Sequence, residues 1–505
     1  MLLPVLLCFL LLLLACLTQV GGIRASRFAR ILVGTGSAVA LGLWLLLLLT
    51  PSESVQAKSL LTGVSTWFRD DAVSRASLLV GVLCCLLVSL LDRHPATLSA
   101  TCWSAGLLGL ASIGNHPILL WGAMQFSVLA LMFYGRTDNT VSLWKRHSSL
   151  VVGSALFASG LLLTSFTPLG SNGPLMGSVF LICGIGGMVR WFPFPRVVGV
   201  ESSFDPVLAT VGHRLLPTLT AGVVLWRLSE FFPFSDQQAF LLVMAGLFSL
   251  AFGSVRLMRE NLLSRRLALN ALATLSFLTV PIFLQNWERG HPLRDWAQSS
   301  NLPTGQTLFV SILVCETIAL LLLLSGQRLL QPDGENADIT ETLGGVARRQ
   351  PVKSIPLLVA LFSFSGMPPF PGFWWRFGLI LTCLLPHRQS TLTLVNERDN
   401  SVTFLAVALL VLMIFNALGN LQLLKRVLFE TPFRVRDNQW TWTAVGAVMI
   451  SGLTFLGAAL FPLSLDQRFA PGLQATPVLS PSQKEPALED QTPAPKEGTG
   501  IPKVS

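Results

Sequence analysis

The chain has 505 residues, of which 52% are apolar and only 12% are charged, with a formal net charge of +9. Soluble domains carry about 25% charged residues, so a string of soluble domains is excluded. Charge-free runs recur from Met1 to Leu465, and a helix of roughly 20 such residues spans the ~30 Å hydrocarbon core: the chain reads as an all-α polytopic membrane protein.

In chain order the apolar stretches are 1–23, 31–52, 76–91, 95–135, 148–189, 206–226, 237–255, 267–287, 303–327, 354–386, 400–424 and 438–465. Two of them, 95–135 and 148–189, are twice the length of one span. Each must fold back, at Gly114-Asn115-His116-Pro117 and at 168–173, where the residues favour turns. About 14 transmembrane helices result. The first stretch lacks a basic flank and a small-residue cleavage site, so it counts as helix 1 and not as a signal peptide. The last segment, 466–505, is rich in Pro, Gln, Lys and Glu and is expected to be a disordered tail.

With 14 helices both termini share a side. The odd-numbered loops hold 21 Lys and Arg and the even-numbered loops 8, which predicts odd loops inside and both termini outside. The positive charge is thus a topology signal and argues against nucleic acid as a partner. All eight cysteines lie in apolar runs with no Cys/His spacing, so neither a disulfide framework nor a zinc site follows. There is no glycine-rich nucleotide loop and no ligand set for haem or iron–sulfur; no cofactor and no metal is expected on this chain. Trp67, Trp191, Trp226, Trp287 and Trp296, near helix ends, read as interfacial anchors.

Four features carry chemistry. Helix 12 contains Ser365-Gly366-Met367-Pro368-Pro369-Phe370-Pro371-Gly372, and prolines and glycines at that density interrupt a helix. Arg376 follows directly; a cation at that depth costs at least ~2.5 kcal/mol and needs an anion or water, unless it snorkels to a helix end. Helix 7 ends in Gly184-Ile185-Gly186-Gly187, followed by Pro193 and Pro195, which predicts a second break. Paired interruptions in two halves are typical of repeat-built transporters. Helix 8 carries His213 and Arg214, and an imidazole can pass protons near neutrality; a structural histidine bonded to a carbonyl is the other reading. Glu316 is a lone carboxylate deep in helix 11, and its cation is Arg376 or Arg214.

The run Gly344-Gly345-Val346-Ala347-Arg348-Arg349-Gln350-Pro351, with the later Ser365 through Phe373, resembles helix 12 of the antiporter-like membrane subunits of respiratory complex I (NADH:quinone oxidoreductase) and of Mrp-type cation/proton antiporters. Phe68-Arg69-Asp70-Asp71 with Ser74, Ser112 through Ser127, Gly184 through Phe194, Pro206 through Arg227 and Asn261 through Ser276 match in the same order. The resemblance implies two inverted five-helix repeats, helices 4–8 within 95–228 and helices 9–13 within 237–424, flanked by helices 1–3 in 1–91 and helix 14 in 438–465. It also implies a central axis of a Glu on helix 5, Lys on helix 7, Lys or His on helix 8, and Lys or Glu on helix 12. In this chain those positions fall on Met124 (beside Gln125), on Met188, on Thr218 or His213, and on Arg376. The expected function is a membrane-arm subunit, itself non-catalytic, that couples electron transport to translocation of protons or another cation such as Na⁺. Its partners would be other membrane subunits and the lipid bilayer of the bacterial cytoplasmic membrane. The alternatives are a non-conducting scaffold subunit, or the membrane partner of an Mrp-type antiporter or inorganic-carbon transporter.

Overall fold

The computed structural model describes residues 2–20, 26–49, 68–92, 94–134, 140–166, 173–191, 206–232, 234–290, 304–330, 340–384, 397–430 and 442–460. Among these there is no strand, and the helices are α1 Leu2–Val20, α2 Ser26–Leu49, α3 Ala72–Leu91, α4 Pro95–Ile113, α5 Pro117–Tyr134, α6 Thr140–Phe166 and α7 Gly173–Val189. Next comes α8, one rod in three pieces: Pro206–Thr210, a π turn Val211–Leu215, and Leu216–Phe231. The remainder are α9 Asp236–Arg259, α10 Leu263–Gly290, α11 Gly305–Leu330, the two halves α12a Pro351–Phe364 and α12b Pro371–Leu384, α13 Glu397–Phe429 and α14 Trp442–Leu460. The tail 466–505 lies outside the described residues.

Among the described residues, eight helices are long and apolar enough to cross a membrane. Their faces show which solvent they meet. On α13, Phe404, Val407, Val411, Ile414 and Leu418 form an exposed stripe at helical spacing, a surface that water would penalise and lipid accepts. By contrast α11 is buried along its spanning window and α3 and α10 nearly so. The molecule is an integral membrane protein organised around these central rods.

Local signals explain the boundaries. The Asp71 carboxylate accepts from the Ser74 N–H (2.9 Å) and the Ser74 hydroxyl accepts from the Asp71 N–H (2.8 Å), closing the first turn of α3. Ser235 and Gln238 do the same for α9. Proline at the first position starts α4 and α12a, and Gly114-Asn115-His116 is the predicted fold-back between α4 and α5. The other predicted fold-back, 168–173, lies outside the described residues except for Gly173, which begins α7.

Two expectations are corrected. Helix 7 does not break at Gly186 or Gly187; α7 runs through both and stops at Val189, before Arg190 at φ 61°. Its glycines serve close packing instead. A Cβ on Gly153 of α6 would fall 2.7 Å from the Gly184 carbonyl oxygen and the Met188 nitrogen, and one on Gly160 would fall 2.8 Å from the Gly177 carbonyl oxygen. Small residues that let backbones approach are the standard means of joining helices in lipid. Pro193 and Pro195 lie outside the described residues. Trp191 and Trp226 are fully buried and not interfacial: the Trp191 indole donates to Ser276 Oγ (3.1 Å), and Trp226 packs on Phe309 at 4.5 Å.

Candidate functional site: a buried ion pair at a helix break

Helix 12 is interrupted where its prolines demand. α12a ends at Phe364, and the backbone turns through 365–370 before α12b begins at Pro371. Gly366 holds φ 65°, a conformation that a side chain would strain. At membrane depth each unsatisfied backbone group costs several kcal/mol, yet every N–H of the turn has a partner within helix 12. Ser365 donates to the Leu361 carbonyl, Gly366 to Ser363, Met367 to Phe362, Phe370 to Met367 and Phe373 to Phe370. Gly372 donates to Ser363 Oγ at 3.1 Å. Pro368, Pro369 and Pro371 have no N–H to satisfy.

Arg376, one turn into α12b, folds back over this turn. Its Nη1 donates to the Ser363 and Gly372 carbonyls (2.9 Å each), and its Nη2 donates to Glu316 Oε1 at 2.9 Å. The guanidinium lies 4.4 Å from the Trp375 ring centre and 5.7 Å from that of Phe277. Both charged residues are buried, Glu316 with 4% and Arg376 with 7% exposure, and Glu316 sits midway along α11. Of its two candidate cations the structure selects Arg376. The Ser363 carbonyl lies so close to Gly372 that no Cβ fits there.

His213 and Arg214 lie on the π turn of α8, half-buried. The turn has a local cause. Pro217 lacks the N–H that would pair with the carbonyl four residues back, at His213, and its ring crowds that oxygen; the Leu216 N–H bonds to Val211, five residues back, instead. The Gly212 carbonyl is taken by Ser104 Oγ of α4 at 2.8 Å. Such π turns recur at functional sites.

The helix 5 and helix 7 positions carry no charge. Met124 and Met188 are fully buried. Gln125 Oε1 accepts from Ser154 Oγ at 2.6 Å, and its amide reaches only the Met188 sulfur, at 3.9 Å. At these positions the bundle has a polar contact and no ionisable side chain.

Two polar clusters at opposite ends of the bundle escape a sequence reading. Where α3 begins and α4 and α8 end, Arg227 donates through both Nη atoms to Asp71 (2.7 Å each), through Nη1 to Glu230 (2.9 Å) and through Nε to the Ser112 carbonyl (2.8 Å). Arg69 also reaches Glu230, at 3.2 Å. Burial pushes the Asp71 carboxyl up, but Arg227, Arg69 and the Ser74 N–H outweigh it and hold it down at about 2. A cavity of about 260 Å³, lined by Arg69, Asn115, Arg227 and Glu230, borders the cluster. At the other end Arg266 donates to the Gly419 carbonyl (3.0 Å), and Asn270 and Asn420 exchange amide bonds of 3.3 and 3.4 Å between α10 and α13. The resemblance marked both Phe68–Asp71 and the stretch ending in Arg227, but nothing in the sequence joined the two.

No family model matches the chain. It is 22% identical over 297 residues to NADH-quinone oxidoreductase subunit N of Pelagibacter ubique, covering 58% of this chain and 56% of that protein. It is 23% identical over 393 residues to the subunit of the same name from Hydrogenovibrio crunogenus, covering 71% and 74%. The first of these relatives is thus matched over little more than half its length. A chain of respiratory complex I from Thermus thermophilus with bound NADH superposes with a TM-score of 0.67 at 18% identity, covering 93% of this chain and 99% of that one. A chain of the Mrp complex from Dietzia sp. gives 0.65 at 14%, covering 94% and 98%. In sequence the chain is distantly similar to NADH-quinone oxidoreductase subunit N proteins, and its fold is shared with chains of respiratory complex I and of the Mrp complex.

Proposed function

We propose that this chain is a membrane-arm subunit of a proton-translocating NADH:quinone oxidoreductase-like complex, working beside other membrane subunits and moving protons, or another cation, in response to redox chemistry performed elsewhere. The observation that carries the reading is the Glu316–Arg376 pair, buried at the break of helix 12. Arginine stays charged in proteins, so Arg376 is a fixed positive charge, and Glu316 is the group that exchanges a proton. His213 and Arg214, on the π turn of α8, are the other candidate members of the pathway. The chain contributes ionisable side chains and no cofactor of its own.

The five-helix repeats are assigned to α4–α8 and α9–α13. The excess of Lys and Arg in the odd loops supports an orientation with both termini outside, in a bacterial cytoplasmic membrane. In that orientation the Asp71–Arg227 cluster faces outward and the Arg266–Asn420 cluster inward.

Reconstituted vesicles test the reading. Glu316→Gln and His213→Ala should each reduce proton flux while the complex still assembles; unchanged flux in both variants rejects the pathway. A second reading, a scaffold subunit that keeps the fold without conducting, is favoured by one observation: Met124 and Met188 are buried where the resemblance implies ionisable groups. On that reading both substitutions are silent, and the subunit is lost only when helix packing is disrupted.

A further inference from the structure

The lateral surface between α11, α12a and α14 holds an apolar groove of about 490 Å³, whose lining includes Leu322, Ile355, Val359, Phe370, Met449 and Leu453 and no polar side chain. Phe370 meets Phe455 of α14 at 6.4 Å, while Ile355 and Val448 line the same groove from earlier in α12a and α14. The two helices therefore run in the same direction, and the groove leads from the helix 12 break toward their common starting end. At that end Arg348 and Arg349 are exposed on a separate short helical turn, Val346–Arg349, which Gln350 joins to α12a, and the Arg348 guanidinium lies 5.9 Å from the Phe429 ring centre of α13. Trp442, exposed at 84%, begins α14 there, as interfacial tryptophans do.

The break decides what fits this groove. Pro368 and Pro369 face outward from the bundle, and irregular backbone normally needs protein or water beside it at such depth. Here the turn's N–H groups are all bonded within helix 12, so it leaves no backbone donor for a neighbour to satisfy. A docked helix in lipid is held by close small-residue contacts and interhelical hydrogen bonds, and the lining offers no polar side chain for one. Hydrocarbon satisfies both conditions, and a pair of arginines at the mouth complements a phosphate.

We propose that the groove holds an acyl chain of an anionic phospholipid, with the headgroup on Arg348 and Arg349 and the tail against Phe370 at the break. The site does not depend on whether the chain conducts ions. It places a lipid directly behind the segment that positions Arg376, so membrane composition acts on the break.

The test uses the full-length chain, purified with the subunits that accompany it, and native mass spectrometry after exchange into mixed phosphatidylglycerol and phosphatidylcholine. A Cβ on Gly452 meets nothing within 4 Å, so Gly452→Trp, and the smaller Gly452→Leu if the first fails to fold, fills the groove from within. The wild type should retain phosphatidylglycerol over phosphatidylcholine, and the filled variants should carry one phospholipid fewer at unchanged thermal stability. Arg348→Gln/Arg349→Gln should abolish the headgroup preference several-fold while a phospholipid stays bound. Equal phospholipid retention in the filled variants overturns the proposal. So does loss of an accompanying membrane subunit from them with lipid unchanged, since the groove then seats a partner's helix. An undiminished preference in the double arginine variant overturns the headgroup assignment.

Discussion

Glu316 of α11 and Arg376 of α12b meet at 2.9 Å, sixty residues apart in sequence and both buried. Removing one partner of such a pair leaves a stranded charge, which costs about 3–5 kcal/mol, whereas replacing both by apolar residues is often neutral. Arg376→Met should therefore lower thermal stability in detergent markedly, and Arg376→Met/Glu316→Leu should recover most of the loss. A double variant no more stable than the single one would show that the two groups do not compensate each other.

Asp71 gives the outer cluster a defined acid limit. Its carboxyl is held at about 2 in the fold against an ordinary 3.8. A depressed carboxyl stabilises fully above the unfolded value and loses that contribution as pH falls through the folded one. Stability should thus hold down to about pH 4 and decline toward pH 2. Asp71→Asn, which strands Arg227 and weakens the first turn of α3, should be less stable at neutral pH and show a shallower decline across that window when unfolding is followed by circular dichroism.

Two glycines separate steric need from tolerance. At Gly372 the Ser363 carbonyl already occupies the place of a Cβ, whereas at Gly446 a Cβ meets nothing within 4 Å. Gly372→Ala should reduce the yield of folded protein and shift its melting point down by several degrees; Gly446→Ala should leave both unchanged. Equal behaviour of the two in a size-exclusion stability assay would contradict the geometry of the break.

Pro217 is the assigned cause of the π turn that carries His213 and Arg214. Pro217→Ala restores the missing N–H and relieves the clash with the His213 carbonyl, so residues 211–217 should become more protected in hydrogen–deuterium exchange. Unaltered protection would mean that packing against α4, through Ser104 and Gly212, maintains the turn without the proline.

The break in helix 12 was legible because Pro and Gly act on the backbone locally, and three prolines within four residues leave a helix no alternative. Glu316 and Arg376 were legible as costly charges in apolar runs, but their pairing depends on how α11 lies against α12b and is written in no single segment. The glycines of helix 7 misled for a related reason. Glycine both loosens a helix and lets another approach it, and which effect prevails depended on Gly153 and Gly160 of α6. Arg227 stayed hidden because its partner Asp71 is 156 residues away, and a basic residue near a helix end looks like a topology signal until the acid facing it is known.

The double attachment of Arg376 has a mechanical corollary. One side of the guanidinium grips the carbonyls of Ser363 and Gly372, and the other grips Glu316. Neutralising that carboxyl loosens one grip and leaves the other, so the bend angle of helix 12 is geared to the charge on helix 11. Helix 12 is in this sense a hinge whose latch is an ion pair.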